Sequence, residues 1–303
     1  MLSGSISLES RFLGAYLGLA IGDALGATVE FMTPHEICHQ FGVHKKITGG
    51  GWLHLKAGQV TDDTTMALAL GEAILETNDV NAMSVAEAFS QWLRSKPVDV
   101  GNTVRRGIVH YRTTGQPLSP ENEYDAGNGA CMRCLPVALH TFGASRHEIQ
   151  SASRRQAHVT HHNEVSDAGT ECIIYLVHMA LQGKSKPEML AGPVAELLRD
   201  HSGYAFRGRL YENPSAYIID TLQVVFQAIF DTDTFEACLI DVVNRGGDAD
   251  TTGAIAGMVV GGLYGVEAIP ESWRRSLHQD IRKACEYQAR QFYTRYCTCR
   301  SET

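Results

Sequence analysis

The sequence predicts an all-α protein, because apolar residues recur with helical spacing along most of the chain and glycine recurs at every fourth position in two segments. Alternating apolar and polar runs, which would indicate strands, are scarce. No Ser/Gly-rich or Pro-rich linker divides the 303 residues. We therefore expect a single compact domain over residues 1–303, built from orthogonally packed helices.

Four apolar runs with i, i+3 and i+4 spacing predict helices in chain order. They lie at residues 12–20, 66–74, 173–180 and 218–229. Turn-forming residues separate the runs, at 49–51, 96–97, 115–117, 183–187 and 213–214. The longest uncharged stretch, residues 251–266, falls short of the ~20 residues that span a bilayer, so it predicts a buried helix in a protein that does not cross the membrane.

The glycine stripes indicate where two helices meet. One consists of Gly14, Gly18, Gly22 and Gly26, and the other of Gly253, Gly257, Gly261 and Gly265. Each glycine costs a helix ~1 kcal/mol relative to alanine, so a close approach of the two backbones must compensate. Such stripes also occur between membrane helices, but Asp23 interrupts the first one. We therefore predict two central helices that cross tightly.

Composition argues against several classes of protein. The net charge of −8 and the lack of a Lys/Arg run argue against nucleic-acid binding. Eight cysteines are too few for a disulfide scaffold. Cys131 and Cys134 have the spacing of half a zinc site, but no second pair follows, so we expect reduced, buried thiols. The first ten residues lack a basic start and an apolar core, which predicts a cytoplasmic protein.

Two acidic clusters carry most of the functional information. They are residues 61–64, Thr-Asp-Asp-Thr, and residues 248–252, Asp-Ala-Asp-Thr-Thr, and each directly precedes a helical run. Either cluster alone is also explained as a helix N-cap, since Thr and Asp cap well. Their doubling favours a two-metal centre, because buried unpaired carboxylates are costly. The oxygen-only donors suit magnesium, manganese or calcium rather than zinc.

Local geometry constrains how these clusters act. Thr61 is a candidate N-cap for a helix that begins at Asp62. Asp62 and Asp63 are about 100° apart on that helix, so they reach two different ions, or one of them bridges. Asp248 and Asp250 follow a pair of glycines, whose backbone adopts conformations closed to other residues.

Other candidates are weaker on their own. Glu30 is a candidate ligand or base, although a lone glutamate is more often a surface residue. Asp99 is another candidate acid or base. Residues 127–129, Gly-Asn-Gly, form either a phosphate-binding loop or an ordinary turn. The histidine-rich run at 158–163 lacks the spacing of a zinc site and predicts a ligand-lining or solvated histidine.

Together these motifs resemble the ADP-ribosylglycohydrolase family. The family has the same order of motifs, here at residues 22–26, 61–64, 99–103, 127–129, 160–161 and 247–251. The similarity covers most of the chain, and the surrounding sequence is most similar to the bacterial members that act on dinitrogenase reductase, the iron protein of nitrogenase. His162 and Asn163 depart from the commoner proline-containing continuation, which leaves the role of that loop open.

The resemblance implies an all-α fold with two divalent cations, manganese or magnesium, at the base of an ADP-ribose cleft. The implied metal ligands are Thr61, Asp62, Asp63, Asp248, Asp250 and Thr251. Glu30 is implied at or beside the metals, and Asp99 is implied as an acid or base near the ribose. The implied substrate-binding residues are Asn102, Gly127, Asn128, Gly129, His161 and Tyr217, the last by stacking on adenine.

The implied activity is hydrolysis of the N-glycosidic bond between ADP-ribose and arginine, which needs a stabilised cationic sugar carbon and a protonated leaving group. Metals orient the ribose and activate water, and a carboxylate transfers the proton. Ring opening and direct displacement are both compatible with the sequence. The alternatives are a two-metal phosphohydrolase that releases AMP and a non-catalytic ADP-ribose-binding module. The resemblance also implies a nitrogen-signalling partner of the PII class.

Overall fold

The computed structural model describes residues 6–301, with side chains as far as Cys299. The α-helices in this range are α1 (Leu8–Gly26), α2 (Pro34–Phe41), α3 (Asp62–Thr77), α4 (Ala82–Arg94), α5 (Asn102–Thr114), α6 (Leu135–His140), α7 (Arg146–Ala157), α8 (Glu164–Leu181), α9 (Lys186–Met189), α10 (Ala195–Asp200), α11 (Ile218–Asp231), α12 (Phe235–Asn244), α13 (Ala249–Tyr264), α14 (Glu271–Ser276) and α15 (Gln279–Ser301). A π-helical turn, Leu190–Val194, joins α9 to α10. Short 3₁₀ turns occupy Ser202–Tyr204 and Val266–Ala268.

The prediction of an all-α fold is confirmed. Between residues 6 and 301 no strand forms, and β pairing is confined to two isolated bridges, Gly50 with Leu55 and Gly127 with Tyr217. The four predicted helical runs fall in α1, α3, α8 and α11, and the uncharged stretch forms α13 and the turn after it. In the described part of the chain, no helix is long and apolar enough to cross a membrane.

Helices α1 and α13 cross at the centre of the molecule and run antiparallel. A Cβ atom built on Gly18 would lie 2.2 Å from the carbonyl oxygen of Gly257, and one on Gly22 would lie 1.9 Å from that of Gly253. Both distances are far below van der Waals contact, so only glycine permits the approach. The predicted crossing of the two glycine stripes is therefore confirmed.

The antiparallel crossing decides where the functional side chains lie. The C-terminus of α1 meets the N-terminus of α13, where a Cβ atom on Gly26 would lie 2.1 Å from the carbonyl oxygen of Ala249. The segment that follows α1 is thereby placed beside the acidic cluster that opens α13. Helices α3, α8, α11, α12 and α15 pack around the central pair.

A single substitution tests the crossing. Gly257→Ala would place a methyl group 2.1 Å from the carbonyl oxygen of Gly18, a backbone atom that cannot turn aside. Overpacking a core site costs ~1–3 kcal/mol. We therefore expect the free energy of unfolding to fall by ~3 kcal/mol or more in a denaturant titration, because the clash is with a backbone atom. Gly262→Ala in the same helix is the control, since its nearest neighbour would be the Ala180 methyl group at 3.3 Å. Equal losses in both variants would contradict the packing described.

One cluster of buried apolar side chains extends through the described chain, from Phe12 in α1 to Phe292 in α15. The single domain over residues 1–303 stays a prediction, and residues 1–5 and 302–303 lie outside the described residues. Cys131 and Cys134 belong to the buried cluster and carry free thiols.

Candidate metal centre and active site

Two backbone hydrogen bonds hold the segment after α1 against the turn before α13. The N–H of Phe31 donates to the carbonyl oxygen of Gly247 at 2.7 Å, and the N–H of Gly247 donates to that of Met32 at 2.9 Å. Gly247 has a φ of +64°, a conformation that favours glycine. Glu30 and Asp248 are neighbours of these paired residues and are brought together by them.

Glu30, Asp248 and Asp250 form a carboxylate group in which one oxygen of each side chain lies within 4.8 Å of the others. All three side chains are buried. Burial raises the pKa of Glu30 to about 8, although Trp52 donates a hydrogen bond to it. Burial also raises the pKa of Asp248 and of Asp250. A cation bound here would instead favour the ionised carboxylates, so this group is a candidate metal site.

The N-terminus of α3 is held by Asp23, which in the sequence only interrupts a glycine stripe. Its fully buried carboxylate accepts hydrogen bonds from the N–H groups of Thr61 at 2.9 Å and Thr64 at 3.1 Å, and from the Thr64 hydroxyl at 2.5 Å. Thr61 occupies the N-cap position as predicted, but its side chain makes no capping hydrogen bond. Asp23 supplies that acceptor from α1. The available signal was a carboxylate within an apolar helix, which needs polar partners when buried.

Asp62 and Asp63 diverge, as their helical spacing predicts. Asp62 lines the cleft described below, and burial raises its pKa to about 7. Asp63 is oriented toward α13. Its Oδ2 accepts hydrogen bonds from the hydroxyl of the neighbouring Thr61 at 3.2 Å and from that of Thr251 in α13 at 3.3 Å. The Thr251 hydroxyl therefore joins the two acidic clusters at one end of the bundle.

The donor set fits a hard divalent cation. Oδ1 of Asp63 and Oδ1 of Asp250 are buried and lack a hydrogen-bond partner among residues 6–301. None of the ion pairs formed within that range includes a carboxylate of either acidic cluster or of Glu30. Buried carboxylate oxygens without partners are costly unless a cation binds them. Carboxylate and hydroxyl oxygens are ligands that manganese and magnesium accept.

A cavity of about 440 Å³ adjoins the carboxylate group, a volume typical of small-ligand pockets. Besides this group, its wall contains seven predicted site residues, Asp62, Asp99, Asn102, Asn128, Gly129, His161 and Thr251. Asp99 is half-buried, and its Oδ1 accepts a hydrogen bond from the N–H of Val100 at 2.7 Å. Asn102 is the exposed first residue of α5.

The loop at residues 127–129 supports the carboxylate group. The side-chain amide of Asn128 donates to Oδ2 of Asp248 at 2.6 Å. Its backbone N–H donates to the carbonyl oxygen of Ala216 at 2.9 Å and is therefore not free to hold a phosphate. The Asn128 backbone N–H is thus engaged within the fold, and phosphate binding by the loop at residues 127–129 stays a prediction.

His161 packs its ring against that loop. A Cβ atom on Gly129 would lie 2.7 Å from Cε1 of the ring, and one on Gly127 would lie 3.1 Å from Nε2. A side chain at Gly129 would therefore displace the ring, and one at Gly127 would make a tight contact with it. Burial, assisted by the positive charges of Arg133 and Arg106, lowers the pKa of His161 to about 3, so the imidazole is neutral.

Tyr217 lies at the N-cap of α11, beside the cleft. Its backbone pairs with Gly127 in an isolated bridge, and the preceding residue, Ala216, lines the cavity. Tyr217 is 42 % exposed. Stacking of this ring on adenine stays a prediction.

Two aromatic residues of the cleft were absent from the sequence-based prediction. Nε1 of Trp52 donates to Oε2 of Glu30 at 2.7 Å and so orients that carboxylate. Phe31 has a φ of +61°, which is strained for a bulky residue, and the residue is 64 % exposed. The centroids of its ring and of the Trp52 ring are 5.4 Å apart. Neither residue belongs to a motif, and their proximity arises only in the folded chain.

Comparison with known proteins decides the family. A family model described as ADP-ribosylglycohydrolase matches residues 4–301. The chain belongs to the ADP-ribosylglycohydrolase family. The resemblance inferred from the ordered motifs is therefore confirmed over nearly the whole chain.

Individual members of the ADP-ribosylglycohydrolase family agree with this assignment. The ADP-ribosyl-[dinitrogen reductase] glycohydrolase of Rhodospirillum rubrum is 47% identical over 282 residues, which cover 93% of this chain and 95% of that protein. The ADP-ribosylarginine hydrolase Tri1 of Pseudomonas putida (strain GB-1) is 32% identical, over 87% of this chain and 73% of that protein. A solved structure described as an ADP-ribosylglycohydrolase-related protein complex has a TM-score of 0.83 at 34% identity, with coverage of 95% and 98%.

Proposed function

We propose that this chain is a metal-dependent hydrolase that removes ADP-ribose from an arginine of a target protein and releases ADP-ribose and unmodified arginine. The observation that carries the proposal is the buried group of Glu30, Asp248 and Asp250 beside a cleft of small-ligand size. The two relatives compared above, a glycohydrolase of ADP-ribosylated dinitrogen reductase and an ADP-ribosylarginine hydrolase, support this activity.

Two divalent cations, preferably manganese and alternatively magnesium, are assigned to the site. The proposed ligands are Thr61, Asp62, Asp63, Asp248, Asp250 and Thr251, with Glu30 completing the set. Two ions are favoured because Asp62 lines the cleft whereas Asp63 is hydrogen-bonded to Thr251 of α13. When bound, such cations supply positive charge that orients the ribose oxygens and favours ionisation of water.

Asp99 is assigned the proton transfer. It belongs to neither acidic cluster, lines the cleft, and is oriented by the N–H of Val100. As the carbon–nitrogen bond breaks, the water oxygen bonds to the ribose carbon, and the Asp99 carboxylate takes one proton from that water and passes it to the guanidine nitrogen that leaves. The other water proton stays on the new ribose hydroxyl, arginine leaves with a protonated guanidinium group, and Asp99 is again a carboxylate.

The remaining cleft residues are assigned to nucleotide binding. Asn102, Gly127, Gly129 and His161 contact ADP-ribose, and Tyr217 stacks on its adenine. Asn128 is assigned a supporting part, because its side-chain amide is already bonded to Asp248. This division places the nucleotide along the loop at residues 127–129, with its ribose end at the carboxylate group.

The proposed target is dinitrogenase reductase in the cytoplasm. The support is the 47% identity to the Rhodospirillum rubrum protein, whose name states that substrate. A regulatory partner of the PII class stays a prediction from the family resemblance.

The target is tested with ADP-ribosylated dinitrogenase reductase and manganese. We expect release of ADP-ribose from the protein and recovery of its electron transfer to dinitrogenase, because removing the modification restores the arginine. An unrelated protein that carries ADP-ribosyl-arginine serves as the matched substrate control. Hydrolysis of the control and of free ADP-ribosyl-arginine, with no release from dinitrogenase reductase, would show that the chemistry is right and the target wrong.

A further inference from the structure

Arg133 is a charged residue buried completely, in the turn between the loop at 127–129 and α6. Its guanidinium lies over the ring of Phe89, 4.3 Å from the centroid. Nε donates to Oε1 of Gln156 at 3.0 Å, and Nη2 donates to the Gln156 carbonyl oxygen at 3.1 Å and to Oγ1 of Thr160 at 2.8 Å. Among the ion pairs of residues 6–301, none includes this arginine. A buried cation without a carboxylate partner is costly, so the contact with Thr160 calls for a functional explanation.

Arg133 determines the direction of the hydrogen bond between Thr160 and His161. A guanidinium can only donate, so Oγ1 of Thr160 accepts from it. The other hydrogen-bond partner of that hydroxyl is Nδ1 of His161, at 2.8 Å. Since Thr160 is itself buried, its proton is satisfied only if it is donated to Nδ1. Nδ1 is then an acceptor, and the single proton of the neutral imidazole resides on Nε2.

Nε2 is the ring nitrogen that faces the loop at residues 127–129. His161 and Gly129 both line the cavity, and Nε2 lies 3.0 Å from a Cβ atom built on Gly129. Within the described part of the chain, Nε2 has no hydrogen-bond partner, so its N–H is free to reach a ligand. We propose that Arg133 and Thr160 are positioning residues that hold His161 in the Nε2–H tautomer, so that it offers an uncharged hydrogen-bond donor to the nucleotide in the cleft.

The arrangement suits an anionic or hydroxyl oxygen of ADP-ribose. A charged donor in this place would add positive charge next to the proposed cation site, whereas a neutral N–H adds a hydrogen bond alone. Consecutive hydrogen bonds polarise one another, so the buried charge of Arg133 strengthens the His161 donor through Thr160. This inference rests on the proposed function only in taking the ligand to be ADP-ribose.

The tautomer is measured directly by ring ¹⁵N chemical shifts of His161, in magnesium-loaded protein without nucleotide. We expect a protonated Nε2 and an unprotonated Nδ1, with no change between about pH 5 and pH 8, because burial keeps the ring neutral. Observation of a protonated Nδ1 in the unsubstituted protein would overturn the proposal. This readout does not depend on turnover, so it stands apart from a failure of the proposed hydrolase function.

Thr160→Val removes the hydroxyl and keeps the shape, and Thr160→Ser keeps the hydroxyl. In Thr160→Val we expect the Nε2–H signal pattern to be lost and the Kd for ADP-ribose to rise about tenfold, as for one missing hydrogen bond. Thr160→Ser is expected to restore both, at a melting temperature similar to that of Thr160→Val. Retention of the Nε2–H tautomer and of ADP-ribose affinity in Thr160→Val would overturn the proposal, even if the variant is less stable.

Discussion

Asp99→Asn is expected to lower kcat by about 10²–10⁴-fold while metal content and ADP-ribose affinity stay near those of the unsubstituted chain. Asparagine keeps the shape of the carboxylate but cannot exchange a proton at neutral pH. Asp99 lies outside both acidic clusters, half-buried in the cleft wall, and the N–H of Val100 already fixes one of its oxygens. Its other oxygen is therefore available to the substrate.

Single-turnover kinetics, metal analysis and ADP-ribose titration decide this prediction. Asp79→Asn is the matched control, because Asp79 is a surface carboxylate paired with Arg155 at 3.4 Å, and full activity is expected there. If Asp99→Asn loses metal as completely as a ligand variant, then Asp99 binds metal and its assignment is wrong. If Asp99→Asn turns over normally, Glu30 becomes the leading acid–base candidate.

Asp250→Ala is expected to lower metal occupancy and activity together, with the rate falling by at least about 10³-fold, because a catalytic metal contributes several kcal/mol to transition-state stabilisation. Asp250 has the geometry of a ligand, since its carboxylate lies within 4.8 Å of those of Glu30 and Asp248, and its Oδ1 has no partner in residues 6–301. Asp62→Ala is expected to behave in the same way.

A thermal unfolding series separates this loss of metal from a loss of fold. Burial and the carboxylates of Glu30 and Asp63 raise the pKa of Asp250, so its ionised form is unfavourable in the metal-free protein. Asp250→Asn removes that charge and keeps the shape, so without metal it should melt no lower than the unsubstituted protein. Manganese should then raise its melting temperature less than that of the unsubstituted protein. An undiminished manganese response would contradict the assignment of Asp250 as a ligand.

The features that could be predicted from the sequence are those set by local spacing. Glycine at every fourth position has few explanations apart from a close helix crossing, and α1 and α13 do cross there. The aspartates of the two acidic clusters could be assigned to helix N-termini, because each cluster directly precedes a run of apolar residues with helical spacing. The two-metal centre expected from the doubled clusters requires them to meet, and the Thr251–Asp63 hydrogen bond joins them.

The features that sequence reasoning missed depend on contacts between distant segments. Asp23 holds the N-terminus of α3 from another helix, and Trp52 orients Glu30 from a loop without a motif. The Asn128 backbone was predicted to hold phosphate, because a Gly-Asn-Gly loop presents amides. The backbone N–H of Asn128 instead donates to the carbonyl oxygen of Ala216, a residue far away in the chain. Periodicity carries no information about such pairings.

The central claim is that this chain is a metal-dependent hydrolase of the bond between ADP-ribose and arginine. Its most direct test is identification of the first products from ADP-ribosyl-arginine, with manganese present and after exhaustive chelation. The account predicts intact ADP-ribose and unmodified arginine with manganese, no product after chelation, and better recovery with manganese than with zinc, since the ligands are all oxygen. AMP as the first product, or full activity in protein shown by metal analysis to be metal-free, would contradict it.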